Sequence, residues 1–417
     1  MKHDDPNTLP AAEPSAIGAT PAPEAIADST LEPIAEAAVE PAAEAPEAAA
    51  PAEEPAAPAA DAPAPELPSP VAPPSGQSQS ISPKGLRWVL AIIGLLIAAT
   101  IGWMVSLALA KAPTAYTVYI YPDTEYDELA DTLAMHEGEE WANTVIYLLT
   151  MDRLGSSHGA YRIDEGTTAW QAARMIKGRA QTPVRVTFNN VRTLSQLAER
   201  IGNQMMTTPE ALLDTLLAPA TLAKYHCDTA TVASLFLPDT YELYWTSSPS
   251  QIIATIAKYH DRFWTDERRA KAAALGLTPA QVATIASIVE EETNSKQERP
   301  VVARLYLNRL DKAMKLQADP TVKFAIGDFS IRRITADMLT YDSPYNTYLY
   351  AGLPPGPIRI PDKATLDAVL DAPLHHYIYM CAADDFSGRH RFTDSYPEHL
   401  ANARRYQQAL NNRGITR

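Results

Sequence analysis

Cysteine is nearly absent from this 417-residue chain, which has only Cys227 and Cys381. Neither stands in the paired spacing of a zinc site, and two thiols can form one disulfide or none, a choice that stays open at this level. The nine histidines show no HExxH or comparable ligand spacing, so neither a metal nor a cofactor is expected. The chain also lacks clustered Lys and Arg with interleaved aromatics, which excludes nucleic acid as a partner. No heptad pattern marks an oligomer interface.

Basic residues are missing from one end in particular. Residues 1–83 hold 14 acidic residues, one basic residue (Lys2) and 18 of the 35 prolines. Nearly all of the net charge of −15 therefore sits there, and the rest of the chain is close to neutral. The low pI describes this stretch and not a catalytic surface. Its Ala/Pro/Glu repeats contain almost no large apolar residue, so they cannot offset the entropy of ordering and read as disordered, either a solvated linker or a docking tail.

A long apolar run follows. Between Trp88 and Ala110 there is no charge over 23 residues, enough for a helix to cross the roughly 30 Å bilayer core. With its flanks, 84–111 is expected to be one transmembrane helix. Its distance from the N-terminus and its length argue against a cleaved signal peptide. Lys84 and Arg87 precede it and only Lys111 follows closely, which places the N-terminal tail in the cytoplasm and the rest outside.

Residues 116–206 repeat one pattern three times: a few alternating apolar and β-branched residues, a polar turn, then an amphipathic helix. YTVYIYPDTEYDELADTLAM, GAYRIDEGTTAWQAARMIKG and VRVTFNNVRTLSQLAERIGN each fit it. This is a small α+β module, a spacer or a glycan-binding element.

The segment LTPAQVATIASIVEEETNSKQERP, residues 277–300, has the strongest helix start: Thr278 as N-cap, Pro279 in the first turn and Gln281 as reciprocal cap. At roughly 100° per residue, Val282, Ile285, Ile288 and Val289 share one face. Glu292 falls within that face, whereas Glu290 and Glu291 fall outside it and read as a solvated face. A carboxyl among apolar neighbours holds its proton more tightly, as a general acid must. The alternative is that Glu292 pairs with a buried arginine such as Arg299 or Arg304.

ASIVEEET, the downstream ERPVVARLYLNRL, LQADPTV and SPYNTYLYAGLPPGPI, and the upstream LFLPDTYELY together resemble the endolytic murein transglycosylases, the YceG-like lytic transglycosylases, over roughly residues 116–410. Two departures stand out: the acidic tail, and an acid between two glutamates where the family commonly has a basic residue. The resemblance implies an α+β chain in four parts: the tail 1–83, the span 84–111, a LysM-like module 112–206, and a catalytic domain 207–417 with its glutamate on a helix. It maps the catalytic glutamate onto Glu292. It implies cleavage of the MurNAc–GlcNAc bond of peptidoglycan glycan strands with 1,6-anhydro ends, at the cytoplasmic (inner) membrane, terminating nascent strands alongside cell-wall synthesis proteins.

That reaction needs one carboxylate, first acid and then base, because the muramyl C6 hydroxyl replaces water. Groove residues are expected in the loops: Gln317, Asp319, Thr321, Tyr345, Asn346, Thr347 and Tyr348, with Asp239 and Tyr241 on the other side and Tyr244 nearby. Each has a structural alternative as cap, turn former or core. GLPPGP is expected to shape a rigid loop, and His390 to be a hydrogen-bonded structural residue. Two rivals remain: a hydrolysing muramidase with Asp319 as second carboxylate, and a non-catalytic peptidoglycan-binding scaffold.

Overall fold

The structure is a computed structural model that describes residues 83–150, 157–331 and 333–414. The expected disorder of the tail concerns residues that, but for Pro83, lie outside these. The first helix, α1 (Pro83–Ala108), is the one described helix long and apolar enough by itself to cross a membrane. Its 26 residues reach about 39 Å at 1.5 Å per residue. Trp88 and Trp103 are 73% and 63% exposed, so no other part of the described chain covers them.

The three expected strand–helix units are all present. β1 (Tyr116–Ile120) leads to α2 (Tyr126–Glu137) and α3 (Glu139–Leu149); β2 (Gly159–Ile163) leads to α4 (Ala169–Lys177); β3 (Val184–Phe188) leads to α5 (Leu194–Gly202). The fold is α+β, but its strands pair in separate two-stranded sheets. β1 and β2 run antiparallel, with Val118 opposite Tyr161. Val118 and Ile120 point into a core with Leu129, Leu133, Trp141, Ile163 and Ile176, while Tyr119 and Tyr121 face outward and are 44% and 48% exposed. Period-two alternation produces this division.

β3 pairs with a distant strand, β4 (Asp239–Leu243), with Val186 opposite Tyr241. The third strand–helix unit is thereby completed beyond residue 206. Its core joins Val186, Phe188 and Ile201 to Leu212, Tyr241, Ile252 and Ile256, from α6 (Pro209–Leu217) and α8 (Pro249–Phe263). A short helix α7 (Pro219–Lys224) follows α6, and β4 lies between it and α8.

The third core is built on α10 (Pro279–Glu292), which follows α9 (Asp266–Ala274). The expected cap is there: Thr278 accepts from the Gln281 N–H while Gln281 bonds back to the Thr278 N–H. α11 (Arg299–Asp311), α12 (Asp319–Ile326) and α13 (Lys363–Leu370) complete the packing. Every residue of α10 from Val282 to Glu290 is buried, so the helix is enclosed on all sides and has no solvated face. A last antiparallel pair, β5 (Tyr379–Ala382) and β6 (His390–Thr393), precedes α14 (Tyr396–Asn412). Cys227 and Cys381 are half-buried free thiols, the first packed on the second core and the second on β5.

GLPPGP works by close approach as well as by fixed dihedrals. A Cβ on Gly356 would collide with the Ala230 carbonyl, whose carbon would lie 2.6 Å away. Just beyond, Ser287 Oγ on α10 accepts from the Ile358 N–H at 3.0 Å. Gly356→Ala is therefore expected to cost about 1 to 3 kcal/mol, seen as a lowered melting temperature, whereas Gly276→Ala meets no atom and is expected to carry only the strain of its positive φ.

Candidate active site

The three glutamates that end α10 have different surroundings. Glu290 is 5% exposed and lies between two arginines: its Oε1 is 3.1 Å from Arg359 Nη2 and its Oε2 is 3.7 Å from Arg299 Nη1. It also accepts from the Asp362 N–H at 2.9 Å and the Thr365 hydroxyl at 2.7 Å. Glu291 receives Arg359 Nη1 at 2.7 Å and both Nε and Nη2 of Arg192 at 3.1 Å. The expectation of a solvated face for these two is thus corrected. On a helix packed all round, a carboxylate off the apolar stripe still meets protein and must find a cation.

Glu292 is half-buried and has no Lys or Arg within ion-pair distance among the described residues. Its Oε1 accepts from the Tyr306 hydroxyl at 2.8 Å. The arginines proposed for it are engaged elsewhere: Arg299 with Glu290, Arg304 with Asn308 and Asp311. Burial pushes its carboxyl up to about 7, helped by the Asp319 charge and opposed by the Tyr306 bond and by Lys323 and Arg309. Burial and the neighbouring Glu292 hold the Tyr306 phenol well above its ordinary range, so it stays a donor.

Arg309 lies one helical turn from Tyr306 on α11. It donates to the carbonyls of Ile378 (2.6 Å) and Leu316 (2.8 Å) and to Gln317 Oε1 (3.3 Å). This ties the LQADPTV loop to the helix. The same loop is laced to SPYNTYLY by the Gln317 N–H donating to the Thr347 carbonyl (3.1 Å) and by Tyr348 donating to Asp319 Oδ1 (2.5 Å).

The structure divides the expected groove residues. Gln317 and Asp319 are exposed, Tyr345 and Tyr348 half-buried, and Asp319 and Tyr348 belong to the electrostatic surroundings of Glu292 and Tyr306. Tyr345 leans on Phe324 at 4.8 Å. Three others are corrected from groove lining to interior ties. Thr321 (0% exposed) and Thr347 (1%) bond each other at 2.9 Å. Asn346 (0%) donates to the carbonyls of Leu339 and Tyr341. Tyr241 is corrected as well: at 1% exposure it stacks on Phe188 in the second core. Asp239 is engaged by Lys363 of α13. His390 is held through its ring and its backbone N–H by Glu298.

With this geometry in place, a profile of the YceG-like family matches residues 118–405. The chain belongs to the YceG-like family. It is 39% identical over 128 residues to an endolytic murein transglycosylase of Bacillus subtilis, covering 31% of this chain and 35% of that protein. To the endolytic murein transglycosylase of Streptococcus pneumoniae serotype 2 it is 30% identical over 130 residues, covering 30% and 23%. The matched segment thus spans only about a third or less of these relatives. A crystal structure of a putative YceG-like protein from Listeria monocytogenes is similar with a TM-score of 0.47 and 25% identity, covering 69% of this chain and 98% of that one.

In this YceG-like chain the side chains that surround Glu292 include three that loop reading passed over: Tyr306, Arg309 and Lys323. The i, i+3 pairing of Tyr306 and Arg309 within LYLNRL was the available signal. Because the folded carboxyl of Glu292 titrates near 7 and an ordinary one near 4.5, the folded chain keeps a proton that the unfolded chain has released. Stability therefore falls as pH rises across that window. Gln cannot ionise, so Glu292→Gln is expected to gain on wild type between pH 4.5 and 8, by up to about 3 kcal/mol. Parallel stability profiles in denaturant titrations at several pH values would remove the raised carboxyl.

Proposed function

We propose that this YceG-like protein is a membrane-anchored endolytic lytic transglycosylase that cuts peptidoglycan glycan strands. The observation that carries the reading is Glu292: of three consecutive acids it alone forms no salt bridge among the described residues, and burial raises its carboxyl to about 7, within reach of both protonation states at neutral pH. The names of the relatives in B. subtilis and S. pneumoniae point to the same chemistry.

In the proposed reaction, protonated Glu292 donates to the oxygen between C1 of N-acetylmuramic acid and C4 of N-acetylglucosamine, and the C1–O bond breaks. The carboxylate so formed takes the proton of the muramyl C6 hydroxyl as that oxygen bonds to C1. The product is a 1,6-anhydromuramyl end, and Glu292 is returned to its acid form. An intramolecular nucleophile gives a large entropic advantage. Tyr306 orients the carboxyl, and Gln317, Asp319, Tyr345 and Tyr348 border the sugar groove. A single working carboxylate suits a site where Asp319 Oδ1 already accepts from Tyr348.

In this reading 112–206 is a LysM-like module, 207–417 the catalytic domain, and α1 a single inner-membrane span with the acidic tail in the cytoplasm. Cutting nascent strands beside the synthesis proteins would set their length. Incubating purified strands with the protein and identifying the new ends by mass spectrometry tests the chemistry. Anhydromuramyl ends are expected, with Glu292→Gln slowing cleavage by about 10²- to 10⁴-fold; reducing ends mean hydrolysis, and no new ends mean a scaffold. For topology, a reporter near residue 20 is expected in the cytoplasm and one at the C-terminus outside, and the reverse pattern sinks the orientation.

A further inference from the structure

The apolar run of 23 residues from Trp88 to Ala110 ends directly on the first core. The Ala110 carbonyl accepts from the Ala169 N–H and from the Trp141 indole N–H, each at 3.1 Å. Ala112, 2% exposed, donates to the Thr167 carbonyl and accepts from the Gly166 N–H, both at 2.8 Å. Between them Lys111 forms a β-bridge with Thr168. No free linker therefore separates α1 from the strand–helix units, and the end of the apolar helix is held by the starts of α3 and α4. The stiff connection continues away from it. Tyr119 and Tyr121 meet the buried Trp245 edge-on, which ties the first sheet to the second, and Arg192 and Arg359 tie the second core to the end of α10.

At 1.5 Å per residue the apolar run reaches about 35 Å, against a hydrocarbon core of roughly 30 Å, so Ala110 lies at the level of the headgroups. Trp170 follows Ala169 in the first turn of α4. It is 52% exposed, and its indole N–H donates to no group among the described residues. Helical side chains lean toward the N-terminus of their helix, and that end of α4 is the one bonded to Ala110. Leu109, 57% exposed, carries the apolar surface of α1 up to the same level. An indole, apolar in body with one N–H to satisfy, is suited to headgroup depth. Lys111 and Glu165, both exposed at this junction, offset each other in charge, so the contact does not call for anionic lipid.

We propose that the first turn of α4 is docked on the bilayer surface through Trp170, which lies among the lipid headgroups and, together with the bonded junction, stops the chain from swivelling on its span. The lipid partner rests on the reading of α1 as a membrane span. Glu292 is then carried at a fixed height above the bilayer, and the strands within its reach are those that run at that height.

The test uses the full-length chain with Cys227→Ser and Cys381→Ser in phosphatidylcholine vesicles, carrying one environment-sensitive fluorophore on a new cysteine. Lipids with a nitroxide on the headgroup or on the acyl chain serve as quenchers. Arg174→Cys reports the docking, being exposed one turn beyond Trp170 on the same face of α4. Its fluorophore is expected to be blue-shifted and quenched from the headgroup, and adding Trp170→Ser is expected to abolish both effects. Gln408→Cys, exposed on α14, is expected to stay unquenched. Met104→Cys, within α1, reports the span by quenching from the acyl chain. Quenching at Met104→Cys without quenching at Arg174→Cys overturns the docking and leaves the span standing. Quenching at neither position means that α1 does not cross the bilayer, and span and docking fall together. Quenching at Arg174→Cys that survives Trp170→Ser overturns Trp170 as the contact.

Discussion

Helix α10 is enclosed on every side, and this enclosure governs the charges at its end. Three glutamates sit in its last turn, where the helix macrodipole already disfavours negative charge. With solvent excluded, an unpaired buried carboxylate would cost several kcal/mol. Arg299 and Arg359 meet that cost at Glu290, and Arg359 and Arg192 meet it at Glu291. Arg192 enters from the turn before α5 and Arg359 also reaches Asn190 at 2.8 Å. The charges that neutralise α10 therefore bind the second core to the third and fix the last turn in place.

Glu292 is the position this network leaves without a cation. Its two main influences oppose each other: burial favours the neutral acid, and the Tyr306 hydroxyl favours the carboxylate. A carboxyl that has to give a proton and later take one back is served by a value near the working pH. Removing Tyr306 would leave burial opposed only by the charges of Lys323 and Arg309, while a cation at ion-pair distance would draw the group toward the ordinary carboxylate range. The Tyr306 phenol is the largest of the influences that offset burial, and Arg309 on the same helix secures the segment that leads through Gln317 to Asp319.

Local features could be read without a structure. The Thr278–Pro279–Gln281 cap, the three strand–helix units and the apolar span depend on residues within a few positions of one another, and all took the expected form. What failed was any inference from polarity to exposure. The periodicity of Val282, Ile285, Ile288 and Val289 says nothing of Ala283, Ala286 and Ser287, yet these small residues are buried too, and Glu290 lies inside with them. Thr321, Asn346 and Thr347 looked like sugar ligands because they are polar and lie in loops. Thr321 lies instead in the first turn of α12, and all three spend polar groups on nearby backbone: Thr321 on the Ala318 carbonyl, Thr347 on the Ala318 N–H and Asn346 on the Leu339 and Tyr341 carbonyls. Tyr241 could not be read as core without knowing that β4 pairs with β3 across some fifty residues of chain.

The wheel singled out Glu292 as the inward carboxyl, yet by accessibility the innermost of the three is Glu290. Depth alone would therefore select a different acid from the one proposed to act. Glu290, 5% exposed and held by two arginines and two hydrogen bonds, is closed off from a polymer. The useful distinction is partnership: a group with enough burial to hold its proton, enough surface to meet a strand, and no counter-charge to fix it as an anion. Of that combination, Glu292 has the burial and the free counter-charge position, while its two neighbours hold Arg192, Arg299 and Arg359.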